Sequence, residues 1–121
     1  MNKEDKALLV KDLCARLPYN VMCQVEFKED GKYNSKVMLL SGIFTDEAYF
    51  TTESGSIYSN EYKPYLFLLS SMTKEMLEEL SAYIDIKNAY VAVEFFNSHH
   101  IDYRGLIENG LAIDATGLNI Y

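Results

Sequence analysis

The sequence has no long run of apolar residues. Its longest run near the middle covers residues 65–69, far short of the roughly 20 residues that a membrane-spanning helix needs. The first six residues are mostly polar, and no apolar segment of the signal-peptide type follows them. We therefore expect a cytoplasmic protein with no membrane contact.

Basic residues are also few. The 121 residues include 11 Lys and Arg against 18 Asp and Glu, which gives a formal net charge of −7. Such a surface repels phosphate backbones and anionic lipid, so we expect no direct nucleic-acid binding. Two interpretations of the acidity stay open: a solubilising surface, or an acidic face that mimics nucleic acid or docks on a basic partner.

Cysteine and catalytic motifs are nearly absent. We interpret Cys14 and Cys23, the only two cysteines, as reduced and buried small hydrophobes. The chain has no Gly-rich phosphate loop and no HExxH, GxSxG or CxxC motif. These absences favour a non-enzymatic protein without cofactor or metal.

Composition and spacing predict one α+β domain over residues 1–121. A composition of 49% apolar and 24% charged residues is typical of a globular protein, and no linker divides the chain. A first helix is predicted over residues 4–16, capped by Asn2 and ended by Pro18. Its apolar stripe follows helical spacing and consists of Val10, Leu13, Cys14 and Leu17.

Four to five antiparallel strands are predicted next, curled into a partial barrel. They cover residues 21–27, 36–45, 47–52, 56–62 and 65–69, with turns at 29–32 and 53–56. Gly42 marks a bulge or bend. Because Pro64 lacks a backbone donor, we interpret 65–69 as an edge strand.

C-terminal helices complete the predicted fold. One helix runs to about Ile84 from a cap at Ser71 or Thr73. Its buried stripe is expected to comprise Met76, Leu77, Leu80 and Ile84. A helical turn is expected over 106–109, ending at Gly110.

The densest group of polar residues follows residue 98. His99, His100, Asp102 and Arg104 fit metal ligation, a general base with its orienting group, or an anion clamp. Adjacent residues on a helix or strand point in different directions, which weakens a shared metal site. The structural alternative is that the histidines and Asp102 cap helix ends while Arg104 pairs with a carboxylate such as Glu108.

Tyrosine is the other unusual feature, with ten in the chain. Tyr49, Tyr58, Tyr62 and Tyr65 lie in or beside predicted strands, and we treat them as candidate interaction residues because tyrosine is enriched at protein interfaces. The plain alternative is that tyrosine is a good strand former.

Several blocks of the sequence resemble a family of small proteins of gut anaerobic bacteria, often found near phage-like or mobile elements and without an established function. The blocks are KDLCARLPY (11–19), YKPYL (62–66), SSMT (70–73) and NSHHIDYRGLIE (97–108). The resemblance implies a shared fold and an intracellular setting, and it assigns no activity. It also favours a helix for residues 88–98, whose composition fits helix or strand.

We therefore expect a non-enzymatic interaction or accessory module of a phage or mobile element, with a protein partner. Two alternatives remain. One is a metal-binding or hydrolytic enzyme that uses residues 99–104, and the other is an acidic nucleic-acid mimic that acts as an inhibitor.

Overall fold

The chain has the α+β architecture that the sequence predicts, with more strands than expected. A computed structural model describes residues 2–43, 47–52, 55–84 and 89–121. The elements in chain order are α1 (Lys3–Arg16), β1 (Met22–Glu29), β2 (Lys32–Ile43), β3 (Ala48–Thr52), β4 (Gly55–Ser59), β5 (Glu61–Leu68), α2 (Lys74–Ile84), α3 (Ala89–Ser98), β6 (Ile101–Asp102) and β7 (Ile113–Asp114). The seven strands form one open, mostly antiparallel sheet, so the expected count of four to five was wrong.

Helix α1 begins and ends where the sequence predicts but buries a different face. The Asn2 side chain accepts a hydrogen bond from the Asp5 backbone N–H at 2.7 Å and caps the helix. The buried residues are Leu9, Asp12, Leu13 and Arg16. Cys14 is exposed and only Cys23 is buried. Of the expected stripe, Leu13 is buried and Leu17 packs partly buried against the core, but Cys14 is exposed because the charged pair Asp12 and Arg16 occupies the other half of the buried face.

The first four strands form an antiparallel meander. The β1–β2 hairpin closes through Asp30 and Gly31, which both have positive φ (52° and 78°). That geometry matches the twist of the flanking strands and is favoured by an Asp-Gly pair. Between β2 and β3 the register shifts between Leu40 and Gly42, which confirms the bulge expected at Gly42.

A single residue joins β4 to β5, although the two strands pair with different neighbours. Strand β4 pairs with β3, while β5 pairs with the far side of β1. The sheet must therefore curl, and the Ser59 hydroxyl at the end of β4 donates to the Glu26 carbonyl of β1 at 2.6 Å. Asn60 is the bend between the two strands: before it the chain pairs with β3, and after it the chain pairs with β1.

Strand β5 is not an edge strand. The Phe67 N–H donates to the His100 carbonyl at 2.8 Å, and the Leu66 carbonyl accepts from the Ala115 N–H at 2.8 Å. The Leu66 carbonyl and the Phe67 N–H belong to one trans peptide and point in opposite directions. Strands β6 and β7 therefore lie on opposite edges of β5, both parallel to it, and the expected edge position was wrong.

The C-terminal third is only partly helical. The helix favoured for residues 88–98 is confirmed by α3, and Thr73 caps α2 by accepting from the Met76 N–H at 3.2 Å. Of the stripe expected on α2, Leu80 is buried and Met76 is partly buried, but Leu77 is 50% exposed, because α2 packs mainly against α3.

After α3 the chain continues as short strands and turns. The helical turn expected over 106–109 is present as a single hydrogen-bonded turn, in which the Asn109 N–H donates to the Gly105 carbonyl at 3.2 Å, and it ends at Gly110 with a φ of 74°. None of the described helices is long and apolar enough to cross a membrane. Residues 44–45, 53–54 and 88, which fall in predicted elements, lie outside the described residues.

The hydrophobic core lies between α1 and the inner face of the sheet. Strand alternation sends one set of side chains inward and the other outward. The inward set and its partners from α1 and the C-terminal turns are Leu9, Leu13, Val21, Cys23, Val25, Met38, Leu40, Ala48, Phe50, Tyr62, Leu66, Leu106, Leu111 and Ala112. The other side of the sheet is called the outer face below.

The bulge glycine is expected to tolerate no side chain. A Cβ at Gly42 would lie 2.9 Å from Cδ2 of Tyr49, so Gly42→Ala should lower the free energy of unfolding by about 1–3 kcal/mol. Urea unfolding would measure this. The double variant Gly42→Ala/Tyr49→Ala should lose less than the sum of the two single losses, and a fully additive result would contradict the contact.

Candidate functional site

The two histidines of the polar cluster end α3 and diverge from each other. The His99 and His100 backbone N–H groups donate to Phe95 and Asn97 carbonyls, and His100 reverses the chain with a φ of 59°. The His99 ring packs on Phe95, with centroids 4.3 Å apart. The His100 ring stacks on Tyr121 at 3.7 Å and 13°. The two imidazoles therefore do not converge on one point.

Asp102 holds the turn that follows β6. Its carboxylate accepts backbone N–H groups from Arg104 at 3.2 Å, Leu106 at 3.0 Å and Ile107 at 2.9 Å. Hydrogen bonds to a charged acceptor are each worth about 1.5–3 kcal/mol. This carboxylate is engaged by the backbone and acts as the cap that the structural interpretation expects.

A buried ion pair of α1, which the sequence analysis did not single out, meets the cluster. Both Asp12 and Arg16 are fully buried. The Arg16 Nε donates to Asp12 Oδ2 at 2.8 Å, and its Nη2 donates to Asp12 Oδ1 at 3.2 Å and to the Ile101 carbonyl at 2.6 Å. The signal available in the sequence was the Asp–Arg spacing of four on one helix.

Arg104 joins the same carboxylate from the other side. Its Nε lies 3.2 Å from Asp12 Oδ1, so Asp12 rather than the expected Glu108 is its partner. Its Nη2 donates to the Tyr103 hydroxyl at 3.1 Å. The guanidinium groups of Arg16 and Arg104 lie 5.2 Å and 5.0 Å from the Tyr103 ring centroid, a distance typical of cation–π contacts.

His100 is held neutral. Burial, together with the smaller effects of the neighbouring Arg16 and His99, lowers the pKa of its imidazole to about 4. Its Nδ1 is buried without a hydrogen-bond partner among the residues that the structure describes. A neutral ring stacked on Tyr121 therefore serves the packing of this junction.

The acidic and histidine side chains of the cluster make their contacts within the protein. Asp12 and Asp102 both accept hydrogen bonds from donors within the protein, and the two histidines face different neighbours. Across residues 2–43, 47–52, 55–84 and 89–121, no three His, Cys, Asp or Glu side chains group in a way that would hold a metal ion.

The four candidate tyrosines lie in different surroundings. Tyr49 and Tyr58 are register partners on the outer face, with ring centroids 4.3 Å apart in an edge-to-face arrangement. Tyr62 is 8% exposed and points into the core, with its ring 5.5 Å from Phe50. Tyr65 is 6% exposed, and its hydroxyl donates to the Gln24 side chain at 3.0 Å. Only Tyr49 and Tyr58 therefore face outward next to exposed neighbours.

An apolar strip runs across the outer face beside this pair. We call it the outer strip, and its members are Met22, Val37, Leu39, Tyr49 and Tyr58. Tyr58 is 58% exposed and Val37 is 45% exposed. The outer positions paired with them are Gln24, Gly42 and Thr51, and Ser56 pairs with Thr51. These positions carry no charge, whereas the charge of Glu47, which precedes β3, adds to desolvation and to Tyr58 in raising the pKa of the Tyr49 phenol.

No protein-family model, curated protein or solved structure matches the chain.

Breaking the buried pair should be strongly destabilising. Arg16→Met leaves Asp12 buried with Arg104 as its remaining cation, and we expect a loss of about 3–5 kcal/mol in the free energy of unfolding. The double variant Asp12→Leu/Arg16→Met should lose less than Arg16→Met. Urea unfolding followed by circular dichroism would measure both. Lys11→Met, on the exposed side of the same helix, is the control, and an equal loss in this control would contradict the assignment.

The neutral His100 should make stability depend on pH. The unfolded state binds a proton near the usual pKa of about 6.5, whereas the folded state binds it only near pH 4. The unfolded state therefore holds more protons between these values, so the free energy of unfolding should fall as the pH drops from about 6.5 to about 4. Urea unfolding at several pH values would show a shallower decline for His100→Gln than for His99→Gln. Equal slopes would contradict the role of His100.

Proposed function

We propose that the protein is a non-enzymatic protein-interaction module that binds its partner through the outer strip. The observation that carries the proposal is the tyrosine-bearing outer face of β2–β4, whose strand positions between Val37 and Tyr58 carry no charge, in a chain with 29 charged residues, 11 basic plus 18 acidic. Protein interfaces are depleted of charged residues at their centre and enriched in tyrosine. The internal engagement of Asp12 and Asp102 supports a non-enzymatic role.

The tyrosine pair is suited to be the centre of such a contact. The Tyr49 ring packs on Gly42 and edge-to-face on Tyr58, so both rings are held in place before a partner arrives. A side chain that is already ordered loses little conformational entropy on binding. Tyr58 still exposes more than half of its surface, which a partner would bury.

The setting that we propose is that of a phage or mobile-element accessory protein inside the cell. It is supported by the resemblance of residues 11–19, 62–66, 70–73 and 97–108 to proteins of such elements. The net charge of −7 supports a protein partner rather than nucleic acid or an anionic membrane.

Removal of the Tyr58 ring should show whether the partner binds the outer strip or another part of the surface. Immobilised wild-type protein and its Tyr58→Ala and Tyr33→Ala variants would be exposed to lysate of the organism that encodes the chain, with captured proteins quantified by mass spectrometry. Wild type and Tyr33→Ala should retain one stoichiometric partner, and Tyr58→Ala should retain at least about tenfold less, as expected for a tyrosine at the centre of an interface.

Tyr33 is a matched control because it is a tyrosine on the same face, 72% exposed, at the far end of β2. Urea unfolding would verify that both variants remain folded. Equal capture by Tyr58→Ala and wild type would rule out the outer strip as the contact surface.

A further inference from the structure

The β1–β2 hairpin extends beyond the rest of the sheet. Strand β2 pairs with β1 over residues 32–39, but it pairs with β3 only over residues 39–43. Among the described residues, no strand lies beside residues 33–37 of β2 on the side away from β1, and these residues are all exposed. We call this side of residues 33–37 the free edge. Such an edge is a template for pairing with another strand.

One hydrogen bond shows which backbone groups point toward the free edge. The Leu40 N–H donates to the Val21 carbonyl at 2.9 Å, so Leu40 directs its backbone groups toward β1. In an antiparallel pair this direction alternates from residue to residue, so every odd-numbered residue of this part of β2 points away from β1. Tyr33, Ser35 and Val37 therefore each present an N–H donor and a carbonyl acceptor along the free edge.

A cavity adjoins the free edge where β3 ends. It has a volume of about 990 Å³, and Lys36, Val37, Met38, Thr51 and Ile57 are among its lining residues. Val37 and Thr51 belong to the outer face of the sheet, whereas Met38 and Ile57 belong to the inner face. Because the lining comes from both faces, the open space lies beside β2 itself, in the place that a further strand would occupy.

Lys36 supplies a charge on this edge without an acidic partner. Its side chain lies on the inner face, opposite Val25 in the β1–β2 register, whereas Lys32 lies opposite Glu29. Within the described part of the chain, the ion pairs are those of Asp12 with the two arginines, and none involves Lys36. A residue opposite Lys36 on an added strand would have its Cα about 4.5 Å away. Opposite charges at such positions stabilise strand pairing.

A second copy of the chain fits the free edge poorly. Antiparallel pairing of two free edges would place Lys32 and Lys36 of both copies on the same face, and like charges on neighbouring strands are destabilising. Lysines are a common means by which proteins prevent pairing between identical edges. Strand β4, at the end of the sheet, has no charged residue and so offers no selection by charge. The lysines of β2 therefore disfavour a second copy and favour an acidic strand.

We propose that the free edge of β2 binds an extended acidic segment of another protein by β-strand addition. Main-chain hydrogen bonds would form to Ser35 and its neighbours along the free edge, and a carboxylate of the segment would lie opposite Lys36. In this mode of recognition the main chain provides affinity and alternate side chains provide specificity. The site adjoins the outer strip at Val37 but does not use the Tyr58 ring, so it goes beyond the function proposed above.

The probe is an acetylated peptide with the sequence Val-Glu-Val-Thr-Val-Thr, joined through a flexible linker to fluorescein. When it lies antiparallel to β2, its first and central valines pair with Val37 and Ser35, and its Glu lies opposite Lys36. Fluorescence anisotropy with the whole protein would measure its affinity. A peptide with Lys in place of the Glu is the control for charge, and we expect it to bind several-fold more weakly.

Two N-methylated isomers of the probe test the binding mode. The N–H of the central valine points toward β2 in the added strand, whereas the N–H of the Thr that follows it points to solvent. N-methylation of the valine should therefore weaken binding about tenfold more than N-methylation of this Thr, as expected for the loss of a main-chain hydrogen bond and close approach. Equal affinities of the two isomers would show that the peptide does not bind as an added strand.

Charge exchange tests the contact with Lys36. Lys36→Glu should weaken binding of the Glu peptide several-fold and strengthen binding of the Lys peptide, because the pair across the two strands changes sign. Lys11→Glu, on the exposed side of α1, changes the net charge equally and should leave the preference for the Glu peptide unchanged. The same preference in Lys36→Glu as in wild type would contradict the contact.

Ser35→Pro tests the backbone of the free edge. The Ser35 N–H points away from β1, so its loss leaves the β1–β2 hydrogen bonds in place, and proline is tolerated at such edge positions. Binding of the Glu peptide should fall about tenfold, and urea unfolding would verify the fold. If this variant does not fold, the N-methylated isomers and Lys36→Glu still decide the question.

Two further results would overturn the proposal. No detectable binding of the Glu peptide would remove the site, and sedimentation showing a dimer that Ser35→Pro dissolves would assign the free edge to self-association. Tyr58→Ala should bind the Glu peptide as tightly as wild type, whether or not it loses its partner from the lysate. The free edge and the outer strip can therefore fail separately.

Discussion

The buried contact between Asp12, Arg16 and the Ile101 carbonyl is the constraint on which the rest of the structure depends. It fixes α1 against β6, and β6 in turn pairs with β5 in the sheet. Burying two charges is unfavourable unless each is paired and hydrogen-bonded with good geometry. In the observed position of the helix, Arg16 donates to the Ile101 carbonyl of β6, and the Asp12 carboxylate contacts the guanidinium groups of both Arg16 and Arg104.

This constraint explains why the charged residues of the polar cluster are engaged in contacts within the protein. Arg104 and Asp102 stand at the point where α1, β6 and the following turn meet, and each is occupied by protein atoms. The surfaces that remain open carry plainer residues, such as Tyr58 on the sheet and Leu77 on α2. Exposed apolar side chains of this kind are what the proposed binding through the outer strip depends on.

Local signals in the sequence predicted the local structure well. Asn2, Pro18 and the Asp30-Gly31 pair mark a helix start, a helix end and a hairpin turn, because each acts on its own backbone. The buried face of α1 was missed because Asp12 and Arg16 count as polar in any apolar pattern. Strands β6 and β7 were missed because two residues are too short to show a period.

The tyrosines show why the candidate site was harder to predict. In one regular strand Tyr58 and Tyr62, four residues apart, would share a face. The bend at Asn60 breaks this alternation, so Tyr58 points outward and Tyr62 points into the core. The residues around Asn60 do not predict this bend, because it results from the curl of the whole sheet toward β1.

The position of β5 between two late segments has a consequence for the order of folding. In the meander β1–β4 each strand pairs with the next one in sequence. The end of β5 pairs with β6 and β7, which follow α2 and α3 in the chain. Pairings between distant segments form slowly. During that interval both edges of the Leu66–Phe67 peptide are unpaired, and such edges are templates for pairing with another chain. In the folded sheet the C-terminal segment covers both of these edges.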